Sequence, residues 1–191
     1  SHDPTDLPIY LATLGPKSLE YTGEAANGWL GTSFSPDHPE AHLSFIKSGA
    51  LKNGRTLRDI DLCVSARVEI GDDLDTMIDK RRAAVAFNMG GMGSTDTNFY
   101  NDAFKRAGYA EEASIIQALW LAGKRDAAAK RVPDAMITEF QLLGPKDQVK
   151  SRIQRYKEAG VTTLKLGLDG AGPLGRGRFE LLEEIVDLVT E

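Results

Sequence analysis

Three stretches of this sequence combine residue types suited to holding an anion. Ala12-Thr13-Leu14-Gly15-Pro16 joins an apolar, β-prone run (Pro8 to Leu14) to a helix-forming segment. Proline directly after a turn glycine suits the first turn of a helix, because its missing N–H would have no partner there. A helix N-terminus carries about half a positive charge and unpaired backbone donors, which favours phosphate. Gly15 would let a ligand approach the backbone with no Cβ in the way. The other reading of these residues is a plain tight connection from strand to helix. Thr32 and Ser33 close a second short run, Trp29 to Ser33, where their hydroxyls suit either a phosphate or a cap before Pro36. Gly170 to Arg178 (GAGPLGRGR) is glycine-rich and basic, lacks GxGxxG or Walker spacing, and reads as a solvated loop.

Other candidates carry blander readings. Arg67 stands on the polar face of an alternating run and suits an ion pair with Glu69 or a contact to a bound phosphate. His38 and His42 are four apart, but Pro39 interrupts the spacing and no third ligand is evident, so no metal site is expected. Cys63, the single cysteine, has no neighbouring histidine or base in sequence and reads as an inert thiol. Met89 and Met92 among glycines suit either a mobile lid over a flat ring system or a helix-breaking connector. Asp72 to Asp79 lacks the spacing of a calcium loop and reads as a helix start that favours negative charge. No general acid or base can be named from these residues.

The elements that must position these residues alternate between two periods. After Pro8–Leu14, a helix places Leu19, Thr22, Gly23 and Ala26 on one small-sided face, suited to close packing on a sheet, and Asn27-Gly28 ends it before the strand Trp29–Ser33. Asp61 to Ile70 alternates cleanly, with Leu62, Val64, Ala66, Val68 and Ile70 on one face. A long helical region follows, from about residue 72 to 137. Phe140–Leu143 then runs into Gly144-Pro145-Lys146, a helix with Val149, Ile153 and Tyr156, and a strand over Val161–Leu168. Leu14-Gly15-Pro16-Lys17 and Leu143-Gly144-Pro145-Lys146 are the same tetrapeptide, which predicts two equivalent rungs of one repeating βα architecture. Phe179, Leu182, Ile185, Val186 and Val189 mark an amphipathic terminal helix.

This grammar predicts an α/β fold of about four βα units around a parallel sheet, with a helical insertion (about 72–137) before the last unit. An eight-unit barrel takes about 250 residues. Four units over residues 1–191 therefore read as one half of such a barrel, or as a free-standing open sheet; either leaves two strand edges to be covered. The 191 residues include 28 acidic and 23 basic side chains, for a net charge of −5, which with no basic stripe argues against a nucleic-acid or anionic-membrane surface. No apolar run approaches the roughly 18 residues needed to span a bilayer, and no segment reads as a signal peptide. A cytoplasmic protein acting on a small molecule is the expectation.

Several motifs carry a family resemblance. Pro8–Pro16 followed by Gly23-Glu24-Ala25-Ala26-Asn27-Gly28-Trp29 resembles the luciferase-like monooxygenase superfamily, and within it the branch that uses coenzyme F-420, a deazaflavin. Phe87–Gly93 with Asn98-Phe99-Tyr100, and Leu143–Lys146 leading to Ala159–Leu164, resemble further segments of that branch. The resemblance implies the C-terminal half of a (β/α)8 barrel whose complete form moves a hydride between reduced coenzyme F-420 and a small organic substrate. It implies that Ala12, Thr13, Leu14, Gly15 and Thr32 contact the cofactor. Two alternatives remain: an FMN-dependent monooxygenase of the same fold, and a non-catalytic half-barrel serving as an interaction module. A lone half is expected to pair with its N-terminal complement or with a second copy.

Overall fold

The computed structural model describes residues 7–94, 96–168 and 176–190. Five parallel strands are present among them: β1 (Tyr10–Leu11), β2 (Gly28–Gly31), β3 (Asp61–Ile70), β4 (Leu142–Gly144) and β5 (Thr163–Leu168). Helix α1 (Pro16–Ala25) connects β1 to β2, and α2 (Glu40–Lys52) connects β2 to β3. Between β3 and β4 lie α3 (Leu74–Gly90), α4 (Phe99–Phe104), α5 (Ala110–Leu121), α6 (Arg125–Arg131) and α7 (Ala135–Thr138), with a π-type turn at Lys105–Tyr109. Helix α8 (Lys146–Glu158) leads to β5, and α9 (Arg176–Thr190) follows it.

Strand β3 is the spine. Its first half pairs with β2 (Gly28↔Asp61 to Gly31↔Val64), and β1 pairs in turn with β2. Residues Cys63–Val68 pair with Thr163–Leu168 of β5. The predicted alternation holds: Leu62, Val64, Ala66 and Val68 are buried with Leu19, Ile46, Val149, Tyr156 and Ile185. Each fully buried aliphatic side chain of this kind contributes roughly 1.5–3 kcal/mol. The other face of β3 presents Cys63, Ser65, Arg67 and Glu69, of which Ser65 and Arg67 are exposed.

A second apolar cluster, built on Met77, Val85, Met89, Phe104, Ile116 and Met136, holds α3 to α7 together. Two buried amides brace it: Asn98 donates to the Asn88 and Met89 carbonyls, and Asn101 to those of Met89 and Ala113. Asp73 caps α3 by accepting from Thr76 N, so the acidic stretch before it is a helix start.

The structure departs from the sequence expectations at several points. The small face of α1 packs on α2 rather than only on the sheet. A Cβ on Gly23 would stand 1.9 Å from the Ile46 carbonyl oxygen, and one on Gly49 1.7 Å from that of Glu20, so the two helices touch through glycines. Next, β4 is not an equivalent rung: it pairs only with the far end of β3 (Val68↔Leu142 to Ile70↔Gly144). Helix α3 runs through Asn88 and Met89, so Met89 is a core residue while Met92 is exposed. Finally, the terminal stripe is split, with Ile185 and Leu181 buried but Phe179, Leu182, Val186 and Val189 exposed. Residues 170–175 of the glycine-rich basic loop lie outside the described residues, and residues 176–178, expected in that loop, open α9 instead.

Candidate functional site

Parallel strands deliver their C-terminal ends to one side of a sheet, and there this chain has a cavity of about 900 Å³. Its sheet wall is formed by Ser65, Arg67 and Glu69 of β3 and by Lys165 and Gly167 of β5. Thr32 and Ser33, just past the end of β2, form the rim. The opposite wall comes from α3 through Lys80, Arg81 and Asn88, from α4 through Tyr100 and Phe104, and from Phe140 and Gln141 before β4.

Ser33 has φ 50°, the one positive-φ position outside glycine among the described residues. A left-handed backbone at a residue with a Cβ costs about 1–2 kcal/mol and persists only where its surroundings enforce it. It turns the chain sharply at the strand end and so sets where the Thr32 and Ser33 hydroxyls lie on the rim. Glu69, buried despite its place on the polar face, accepts from Arg81 at 2.8 Å and lies 3.5 Å from Lys80. The sequence pairing of Arg67 with Glu69 therefore missed the α3 cations. Arg67 itself lies over Gly167, where a Cβ would stand 3.0 Å from its Cδ.

The β1–α1 turn is held by side chains from three other elements. Trp29 Nε1 donates to Thr13 O at 2.9 Å, and Thr13 Oγ1 lies 2.7 Å from Thr22 Oγ1. Arg106, in the π-type turn, donates to Leu14 O and to Ala41 O, each at 2.9 Å. Desolvation lowers the Arg106 pKa from its ordinary value, against the opposing influence of Asp102. Gly15 is the N-cap of α1, with no side-chain cap and no acidic residue in the first turn. The close approach that this glycine permits is taken by Phe99, whose ring would stand 3.1 Å from a Cβ at 15.

Thr32 therefore lines the cavity, whereas Ala12, Thr13, Leu14 and Gly15 are not among its lining residues. Helix α4 links the two places: Phe99 covers Gly15 while Tyr100 and Phe104 face the cavity. The sequence reading missed Ser33 as a strained residue, the Glu69–Arg81 pair, Gln141 and Arg106. Of the residues that the sequence singled out as anion contacts, Thr32, Ser33 and Arg67 line the cavity.

The remaining candidates serve structure. His42 is buried between Trp29 (ring centroids 5.4 Å apart) and Phe34 (5.9 Å), and neither ring nitrogen has a hydrogen-bond partner. Burial, aided by the Arg106 charge, pushes its pKa down to about 3. His38 precedes α2 and lies 3.4 Å from Glu139, which also accepts from Tyr109 Oη at 2.6 Å. Cys63 is half-buried, with its thiol pKa raised by burial and by Asp61. No group of three His, Cys, Asp or Glu among the described residues is placed to hold a metal.

Comparison with known proteins adds the family. The model of the luciferase-like monooxygenase family matches residues 1–163. The chain belongs to that family. A Mycobacterium tuberculosis protein named as a coenzyme F-420-dependent oxidoreductase is 31% identical over 161 residues, 83% of this chain and 46% of the relative. The 5,10-methylenetetrahydromethanopterin reductase of Methanopyrus kandleri is 31% identical over 183 residues, 94% of this chain and 48% of the relative. The solved structure of the coenzyme F-420-dependent tetrahydromethanopterin reductase from that organism superposes with a TM-score of 0.69, covering 93% of this chain and 49% of that one. An F-420-dependent secondary alcohol dehydrogenase shares the fold at a TM-score of 0.60 and 16% identity, over 85% of this chain and 43% of that one. The chain spans about half the length of the curated relatives it matches. Among the described residues, no helix is long and apolar enough to cross a membrane.

Proposed function

We propose that residues 1–191 are the C-terminal half of a (β/α)8 barrel, with α3 to α7 as a helical insertion, in an enzyme that transfers a hydride between reduced coenzyme F-420 and a small organic substrate. The observation that carries this reading is the position of the cavity at the C-terminal ends of β2, β3 and β5, where barrel enzymes keep their sites. The relatives named for coenzyme F-420, aligned along most of the chain, support the choice of cofactor.

The residues present fit such a group. At α1 the N-terminal amides have neither a side-chain cap nor a neighbouring carboxylate, which suits a phosphate. The cavity volume is in the range that holds a cofactor-sized ligand. Ala12, Thr13, Leu14, Gly15 and Thr32 would form the phosphate-side wall, with the Phe99 ring displaced from Gly15 to admit the phosphate. When bound, the deazaflavin supplies the hydride chemistry. This chain's contribution is to fix the β1–α1 turn through Trp29 and Arg106 and to exclude water through the α3–α4 wall.

The first four units of the barrel, or in their place a second copy of this half, would pair with the exposed edge at Ile9 and Tyr10. They would also cover the apolar stripe of Phe179, Leu182, Val186 and Val189. Titration with coenzyme F-420 and with FMN, followed by fluorescence, tests the cofactor assignment. Saturable binding of the deazaflavin in preference to FMN supports it, and preference for FMN with oxygen consumption overturns it. Native mass spectrometry tests the pairing: a dimer or a complex with a second polypeptide is expected, and a stable monomer overturns it.

A further inference from the structure

Phe99 opens α4 and is 51% exposed, whereas Asn98, Asn101, Ala103 and Phe104 around it are buried. Its ring lies over the β1–α1 turn, where Cε1 and Cδ1 would stand 3.1 and 3.3 Å from a Cβ on Gly15. Gly15 is buried, while Ala12, Pro16, Lys17 and Ser18 beside it are exposed. The cover is chemically mismatched. Gly15 O already accepts from Leu19 N and from Ser18 Oγ, each at 2.9 Å, so this helix end offers donors rather than acceptors. Helix-start amides have no partner within their own helix and favour a polar or anionic neighbour over an aromatic ring.

The ring is free to leave, but its backbone is not. Asn98 caps α4 by accepting from Asn101 N at 3.0 Å and donates to the Asn88 and Met89 carbonyls. Asn101 donates to the carbonyls of Met89 and Ala113. These bonds pin the chain on both sides of Phe99 to α3 and α5, which confines motion to the side chain. Exposed side chains change rotamer within picoseconds to nanoseconds. We propose that Phe99 is a self-occluding gate: its ring covers the N-terminus of α1 in the empty protein and swings off Gly15, on a fixed backbone, when a phosphate-bearing molecule arrives. Binding at this turn is therefore always in competition with the protein's own side chain, at a cost in affinity rather than in rate. The gate rests on the proposed function for which molecule displaces the ring.

The test titrates coenzyme F-420, followed by fluorescence, and inorganic pyrophosphate, followed by calorimetry, into the parent protein, Phe99→Ala, Phe99→Leu and Phe87→Ala. Phe87 is an exposed ring of the same insertion that lies against Trp120 instead, with centroids 5.7 Å apart. Half of Phe99 is already in water, so loss of its remaining burial corresponds to roughly three- to tenfold in affinity. Phe99→Ala is expected to tighten both ligands by that factor, Phe99→Leu by less and Phe87→Ala not at all. Phe99→Leu preserves the readout if Phe99→Ala loses its fold. Unchanged or weaker binding in the folded Phe99 variants, or equal tightening in Phe87→Ala, overturns the gate and, where the parent binds coenzyme F-420, leaves the hydride-transfer reading standing. Pyrophosphate tightened by the Phe99 variants, with no coenzyme F-420 bound by any of the proteins, upholds the gate and removes that reading. Absence of binding of either ligand throughout overturns both.

Discussion

Leu14-Gly15-Pro16-Lys17 and Leu143-Gly144-Pro145-Lys146 share four residues and both open a helix, yet their backbones differ. Gly15 has φ −78° and ψ 151°, an extended conformation open to any residue, whereas Gly144 has φ 115°, which a side chain rarely adopts. The first turn is clamped by Trp29 and Arg106 and covered by Phe99. The second is bonded to β3 through Gly71 N and Gly144 O, and its helix is tied to α9 by Lys146 and Glu184 at 3.0 Å. A shared tetrapeptide thus encodes a helix start, while long-range partners decide the turn's shape and its use. Under the proposed function the first turn is the binding element and the second a structural joint.

The comparison is tested most strongly through pH. His42 lies under Trp29, which holds Thr13, so its charge state bears directly on the first turn. A folded pKa of about 3 against the ordinary 6.5 keeps the ring neutral in the fold. The resulting stability is fully present above pH 6.5 and is lost as pH falls toward 3, where the unfolded chain binds the extra proton; it amounts to on the order of 5 kcal/mol. Denaturant titrations across that window should show the slope in the parent and a flatter one in His42→Leu. Equal slopes would uncouple His42 from the turn.

Arg106→Ala strips donors from Leu14 O and Ala41 O and should cost about 2–3 kcal/mol in a urea melt. Hydrogen exchange should quicken around α1's first turn and not around α8. Gly144→Ala forces a side chain into left-handed backbone and should cost about 1–2 kcal/mol, with no change in cofactor binding. Gly15→Ala should change stability by about 0.5 kcal/mol or less once Phe99 gives slightly, yet weaken coenzyme F-420 binding. If Gly144→Ala rather than Gly15→Ala impairs binding, the roles of the two turns are reversed.

Where the pattern is local, the sequence was informative. The alternation of Asp61–Ile70 and the proline-started α1 follow from spacing within about ten residues, whereas the strand expected to run to Ser33 ends at Gly31. The misread features are those set by distant partners. Strand β4 pairs only with the last three residues of β3, beyond the register of β2 on the same edge. Glu69 is buried because α3 returns Arg81 to it, and α1 packs on α2 because Gly23 and Gly49 are brought together in space. Nothing in the residues around Ser33 announced its positive φ.

The central claim is that the β1–α1 turn and Thr32 hold a deazaflavin. Fluorescence titration of coenzyme F-420 into the parent protein, Gly15→Ala and Gly144→Ala tests it most directly. Saturable binding that Gly15→Ala weakens and Gly144→Ala spares is the predicted result. No binding by the parent, or the same affinity in Gly15→Ala as in the parent, would contradict it.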